Sequence, residues 1–336
     1  MKLSKAGIFS KDHWLSPAVV IAALIYLAAI SLTVEKSNLP SLLLYVVYFM
    51  WIMLAESWNL VGGYAGLLNL GLVAFFGLGS SVAEVALIAG ISFIPAIFLA
   101  GVSGVLLAFV LIPTFRLRSD YFAIGTLVVP IIVKPLVELF SGFSNFTAPI
   151  ASLPSPLQLY WTGLVLTGLT IYGIFFLMKS RVGLALRAIG DEENASATLG
   201  VNILKYKSIA LAVSGFVAAM AGAYLVGYTQ SFNTGTFNDL TYSLFPIFMV
   251  VIGGSGTFEG PIVGALIFSI PNYYLNQFFP GSSMETLVFS VLIMAVAVLL
   301  PKGVVPSARK IMNRVAKKLS RPHAPPRHES TIAASD

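Results

Sequence analysis

Apolar runs of about twenty residues, the length a helix needs to cross a bilayer, recur along this chain between short polar or glycine-rich breaks. They cover residues 15–34, 42–61, a stretch within 67–89, another within 93–115, then 121–140, 159–178 and 208–228. Two shorter runs, 242–252 and 261–275, flank the sequence GGSGTFEG at 253–260, and a last run covers 285–300. The pattern predicts an all-α fold, a polytopic integral membrane helical bundle of about eight to ten spans. The one long polar interruption deep in the chain is residues 181–207, RVGLALRAIGDEENASATLGVNILKYK. It is too short for a soluble domain.

Composition agrees. The chain of 336 residues is 57% hydrophobic and 10% charged, where soluble domains carry roughly 25% charge. Lys2, Lys5 and Lys11 precede the first run, Arg116 and Arg118 mark a later loop, and Lys302 opens a basic tail. Of the 20 Lys and Arg, all but Lys36 and Lys134 fall on one side of the predicted topology, which makes that side cytoplasmic. Both termini are then inside. The expected organisation is a cytoplasmic N-terminus (1–14), a transmembrane domain (15–305) containing a cytoplasmic loop at 180–207, and a basic, partly disordered cytoplasmic tail (306–336). Residues 15–34 also admit a signal-peptide reading, but no A-x-A site follows them. In the tail, Ala308, Ile311, Met312, Val315, Ala316 and Leu319 recur at helical spacing among basic residues, the pattern of a helix lying on an anionic leaflet. The net charge of +6 reflects topology rather than nucleic-acid binding.

With no cysteine, and with His13, His323 and His328 all in the terminal segments, the spans hold no histidine or thiol to ligate a metal or haem. No G-x-x-x-x-G-K-[ST] occurs, so ATP hydrolysis by a P-loop is not expected of this chain, and no cofactor is.

Two glycine-rich stretches stand out. Gly62, Gly63, Gly66 and Gly71 follow the second run; Gly253, Gly254, Gly260 and Gly264 separate the two short ones. Small residues let helix backbones approach one another in lipid. Equally, such stretches suit broken backbone lining a passage, with Glu56, Asn59 and Asn69 as polar lining. The topology puts both stretches on the cytoplasmic side. Glu84, among Val82, Ala83, Val85 and Ala86, is an acid deep in a span, either holding helices together or serving the passage. Lys134 and Glu138 are spaced to pair along one helix face or to snorkel.

Within the polar loop Asp191 is expected to N-cap a two-turn helix over 192–199, with Glu192 and Glu193 at its positive end and Gly200 at its C′ position. A helix that short needs a docking partner, and Ala195 and Leu199 offer it a small apolar edge. An ordinary solvated loop is the alternative.

The loop is similar to the ATPase-contacting segment of ATP-binding cassette (ABC) importer permeases of the branched-chain amino acid, LivM-like group. The likeness is carried by GGYAGLLNLG at 62–71 with AFFGLG at 74–79, by 183–200 with Arg187-Ala188-Ile189, by VVIGGSGT at 250–257 with Gly260-Pro261 and Gly264-Ala265, and by Pro301-Lys302-Gly303. These run in family order from about residue 40 to 305. The resemblance implies a second permease subunit of the same fold, cytoplasmic ATPase subunits that bind the ATP and contact 192–199, and an extracytoplasmic solute-binding protein. It implies alternating access and a branched-chain or other hydrophobic amino acid as solute, with urea or short amides as alternatives. Many members carry glutamine where this chain has Leu67, and histidine or glutamine where it has Leu72, which implies a drier passage here. An ion-coupled secondary transporter is the rival class, with Glu84 as its coupling acid; a membrane-embedded enzyme lacks a nucleophile–base set.

Overall fold

Uncharged from Leu39 to Ala55, the first described segment winds into helix α1 (Leu39–Trp58) and continues as a wider, π-helical turn (Asn59–Tyr64). The computed structural model describes residues 39–116, 119–141, 145–147, 153–278 and 303–310, with positions 287, 291 and 294. Next come α2 (Leu72–Ile88), α3 (Phe93–Leu111), a 3-10 turn (Ile112–Arg116) and α4 (Ser119–Ser141). Strand β1 (Asn145–Thr147) leads to α5 (Pro156–Lys179), α6 (Arg181–Asp191), α7 (Glu193–Thr198) and α8 (Ile203–Thr229). Strand β2 (Ser231–Asn233), a 3-10 turn (Thr234–Asn238), α9 (Thr241–Gly253) and α10 (Gly260–Phe278) complete the order. Among the described residues, five helices are long and apolar enough to cross a membrane, and three shorter apolar helices join them. The fold is the expected all-α membrane bundle, relieved by one antiparallel β1–β2 ribbon. The predicted runs at 15–34 and, for the most part, 285–300, and the tail helix beyond 310, lie outside the described residues.

Helix α8 is the axis of the bundle, with α2 and α3 along one side and α1 on another. Its residues Gly215, Ala218, Ala219 and Gly222 form a face without long side chains. A Cβ added at Gly79 of α2 would fall on the Ala219 carbonyl, and one at Gly104 of α3 on the Gly215 carbonyl. The backbones therefore touch, which is how helices gain contact energy where lipid supplies no hydrophobic drive. On the α1 side, Ser57 Oγ donates to the Ser214 carbonyl at 2.9 Å. Outward residues are apolar and exposed, among them Phe98 and Phe109 on α3 and Ile131 and Leu139 on α4, as suits acyl-chain contact.

Polar residues set the helix ends. Ser155 and Gln158 close a capping box around Pro156 at the start of α5. Asn202 accepts from the Lys205 amide to begin α8. The β1–β2 ribbon joins the chain beyond α4 to the chain beyond α8, so those ends share one face of the bundle. Helices α6 and α7 lie at the opposite end, between the end of α5 and the start of α8.

The third predicted run differs in detail. Its helix starts only at Leu72, because residues 65–71 double back beside α1. Trp58 Nε1 donates to the Asn69 carbonyl at 2.8 Å, and the Leu70 amide donates to Thr126 Oγ1 at 3.1 Å. Gly66, at φ +69°, makes that reversal cheap. Among the described residues no ion pair joins Lys134 to Glu138.

Candidate functional site

The polar loop folds into two helices. Helix α6 is amphipathic, with Gly183, Ala185, Leu186 and Ile189 buried and Arg187 exposed. Ser180 Oγ accepts from the Val182 amide at its start. Helix α7 follows at a sharp bend: Glu192 is extended, at φ −158°, and occupies the N-cap position without a side-chain cap bond. The expectation that Asp191 caps this helix is corrected, since Asp191 is the last residue of α6, and the second helix spans Glu193–Thr198 rather than 192–199. The apolar face of α6 is what carries helix through to Asp191, because burying Leu186 and Ile189 outweighs the turn preference of the Gly-Asp pair.

The end of α7 is a Schellman motif. The Gly200 amide donates to the Ala197 carbonyl at 3.0 Å, the Val201 amide to the Ser196 carbonyl at 3.1 Å, and Gly200 has φ +83°. Ser196 faces inward, while Ala195 and Leu199 face out, Leu199 being 85% exposed. Glu193 does more than suit a helix dipole: Lys207 Nζ, almost wholly buried at the start of α8, donates to its Oε1 at 2.6 Å. This pair ties α7 to the bundle. Nothing in the sequence around Lys207 sets it apart from the other basic residues.

Behind α6 the two glycine-rich stretches meet. Gly190 has its Cα against the Tyr64 carbonyl, and Gly66 packs on Gly190 in turn. The Arg187 guanidinium lies 5.7 Å from the Tyr64 ring centroid. The Asn59 carboxamide accepts from the Gly256 amide at 3.0 Å and donates to the Thr257 carbonyl at 2.9 Å. A Cβ at Gly63 would stand 2.7 Å from the Gly256 nitrogen, and Gly62 is covered by the Trp58 ring. Both stretches thus sit at one end of the bundle, the first of them against α6.

The loop of residues 254–259 is itself closed. Thr257 Oγ1 donates to the Gly254 carbonyl at 2.7 Å and accepts from the Gly260 amide at 3.1 Å. Gly253 abuts Gly260, and Gly264 abuts the Met249 carbonyl, so α9 and α10 pack backbone to backbone. Behind Gly254 (φ +125°) stand Gly303 and Pro306 of the segment 303–310. Arg309 Nη2 reaches buried Glu259 Oε2 at 3.2 Å. Arg309 belongs to the basic residues of the tail pattern read as facing an anionic leaflet, and here it turns to Glu259 instead.

The four residues expected to line a passage are all sealed in protein: Glu56, Asn59 and Glu84 are 0% exposed and Asn69 is 1%. Asn59 is held as described. Asn69 Oδ1 accepts from the Gly71 amide at 3.0 Å, while its Nδ2 is without a partner. Gly71 lies against the Thr126 carbonyl. Neither carboxylate oxygen of Glu56 or of Glu84 has a hydrogen-bond partner.

The comparisons with known proteins bear on the whole assembly of features. Residues 40–297 match the family model described as branched-chain amino acid transport system / permease component. The chain belongs to this family. It is a transport permease of the ABC importer type, not an enzyme, and a multi-pass protein of the cytoplasmic membrane. The high-affinity branched-chain amino acid transport system permease protein LivM of Escherichia coli is 25% identical, with 89% of this chain and 77% of that protein covered. The probable branched-chain amino acid transport permease protein LivM of Methanocaldococcus jannaschii is 25% identical over 67% of this chain and 71% of its own length. The ribose import permease protein RbsC of Haemophilus influenzae is 28% identical over 60% of this chain and 64% of its own. No solved structure matches the permease.

Proposed function

We propose that this permease is one of two membrane subunits of an importer that carries branched-chain or other hydrophobic amino acids inward. A second permease of the same fold stands beside it, a solute-binding protein delivers solute at the face bearing the β1–β2 ribbon, and separate ATPase subunits dock on α6 and α7. The cycle is alternating access: nucleotide binding pushes the α6–α7 surface, and the helices exchange an outward-open for an inward-open arrangement. Nucleotide shifts that equilibrium only through different affinity for the two arrangements. Arg187, Asp191, Glu192 and Glu193 give the docking surface its charge, and Ala195 and Leu199 its apolar edge.

The observation that carries the solute class is coverage. The relative named for branched-chain amino acid transport aligns with 89% of the chain, the one named for ribose import with 60%. Docking at α7 is supported by Leu199, a large apolar side chain 85% exposed at the end of the bundle opposite the β1–β2 ribbon.

The test is uptake by proteoliposomes containing the complete complex, with binding protein outside and ATP inside. Labelled leucine or valine accumulates, and ribose does not. Leu199→Asp leaves the thermal stability of the isolated chain unchanged, but lowers ATPase recovery on affinity purification and lowers uptake at least tenfold. Full ATPase recovery and uptake with Leu199→Asp would sink the docking assignment, and uptake of ribose but not leucine the solute assignment.

A further inference from the structure

The α6–α7 surface reaches the membrane helices through a specific chain of contacts. Gly190 of α6 touches the Tyr64 carbonyl, with no side chain between them, and Arg187 covers the Tyr64 ring. Tyr64 closes the π-helical turn that begins at Asn59. π-Helical turns are rare and concentrate at functional sites. At the other end of the turn, Asn59 grips the loop of residues 254–259, which joins α9 to α10.

The chemistry of that grip sets it apart from packing. Apolar contacts tolerate sliding. A carboxamide that accepts from one backbone amide and donates to the carbonyl of the next residue fixes register, because a shift by one residue breaks both bonds. The loop gripped is stiff, being braced internally by Thr257 and backed by Gly303 and Pro306. Movement of the turn therefore moves the loop, and with it the end of α9 and the start of α10.

We propose that Asn59 is a positioning residue of the transport cycle, the linkage by which displacement of α6 and α7 is delivered through the π-helical turn to α9 and α10. This rests on the reading that ATPases act at α6–α7, and the experiment separates the two. The chain has no native cysteine, so introduced pairs label uniquely in complexes whose other subunits carry no reactive thiol. Leu199→Cys on α7 and Val251→Cys on α9 are each paired with Leu169→Cys on α5, all three being exposed positions. Spin-label distances are measured in the full complex with and without ATP and vanadate.

With Asn59 present, both distances shift on nucleotide trapping. In Asn59→Ala the Leu199 shift persists and the Val251 shift is lost. Basal ATP hydrolysis is kept, while solute carried per ATP falls at least tenfold. Asn59→Asp keeps the size and the acceptor for Gly256 but loses the donor to Thr257, and it shows the same split. A Ser57→Ala control, which removes a neighbouring bond of α1 to α8, leaves both shifts in place. Three outcomes overturn the proposal: a Val251 shift that survives in both Asn59 variants, a native complex in which Leu199 moves and Val251 does not, or loss of assembly in both variants, which identifies a purely structural residue. If Leu199 does not move in the native complex, docking at α7 fails first and the linkage falls with it.

Discussion

Alanine at Gly79 is expected to force α2 away from α8. The added Cβ would stand 2.5 Å from both the carbonyl carbon and the Cα of Ala219. Carbon atoms rest at about 3.5–4.0 Å, so the helices have to part by roughly 1 Å. Both sides of the contact are backbone, and no side chain can rotate aside. A gap of that size forfeits about a quarter to a half of each affected contact, and overpacking of this kind costs about 1–3 kcal/mol. Alanine's better helix propensity returns about 1 kcal/mol. The net loss is about 2 kcal/mol, taking the upper end of the range because the clash is unrelievable. Gly173 of α5 is the control, since a Cβ there meets nothing within 4 Å. Gly173→Ala is expected to be neutral or stabilising by up to about 1 kcal/mol. The assay is thermal unfolding of the detergent-purified chain, read against its membrane accumulation. A Gly79→Ala variant that melts at or above Gly173→Ala refutes the backbone-contact account of the α2–α8 seam.

Two ion pairs give predictions of opposite asymmetry. Lys207 is 5% exposed and Glu193 50%, so Glu193→Ala strands a buried ammonium and lowers the melting temperature more than Lys207→Met; the reverse order counts against the tether. Glu259 is 1% exposed and Arg309 25%, so here removing the cation is the worse change. Arg309→Ala is expected to cost more than Glu259→Ala, and both to speed proteolysis after residue 303; equal protection from protease contradicts a latch between this segment and the loop.

Much of this architecture is legible in the hydrophobic pattern. The runs at 93–115, 121–140 and 159–178 become α3, α4 and α5 within a few residues, because in lipid a long apolar segment has little choice but helix. Gly200 reads correctly as a helix terminator, since few residues other than glycine adopt its positive φ. Helix α6 was hidden by its composition. Arg181, Gly183, Arg187, Gly190 and Asp191 make the segment look like a polar linker, although Val182, Leu186 and Ile189 already mark one helical face. The reversal at 65–71 was equally hidden, because Leu67, Leu68 and Leu70 extend the apolar run while their backbone leaves the helix. Long-range pairings are the least readable. Nothing near Lys207 in the sequence announces Glu193 as its partner, and Glu259 and Arg309 are fifty residues apart. The meeting of the two glycine stretches at Gly63 and Gly256 is a fact of three dimensions. Sequence supplied their shared side of the membrane and no more.

The short ribbon between Asn145–Thr147 and Ser231–Asn233 has a consequence for how a transporter of this shape opens. Its ladder stitches the far tip of α4 to the far tip of α8, and α8 is already fused along its length to α2 and α3. Four helices are thereby harnessed at the face opposite α6 and α7. Prising α4 from α8 there costs the ladder, so an aperture at this face forms most cheaply along the margin of this harnessed block, where α1, α5 or α9 adjoins it. The hasp need not be strong to choose the line along which the door swings.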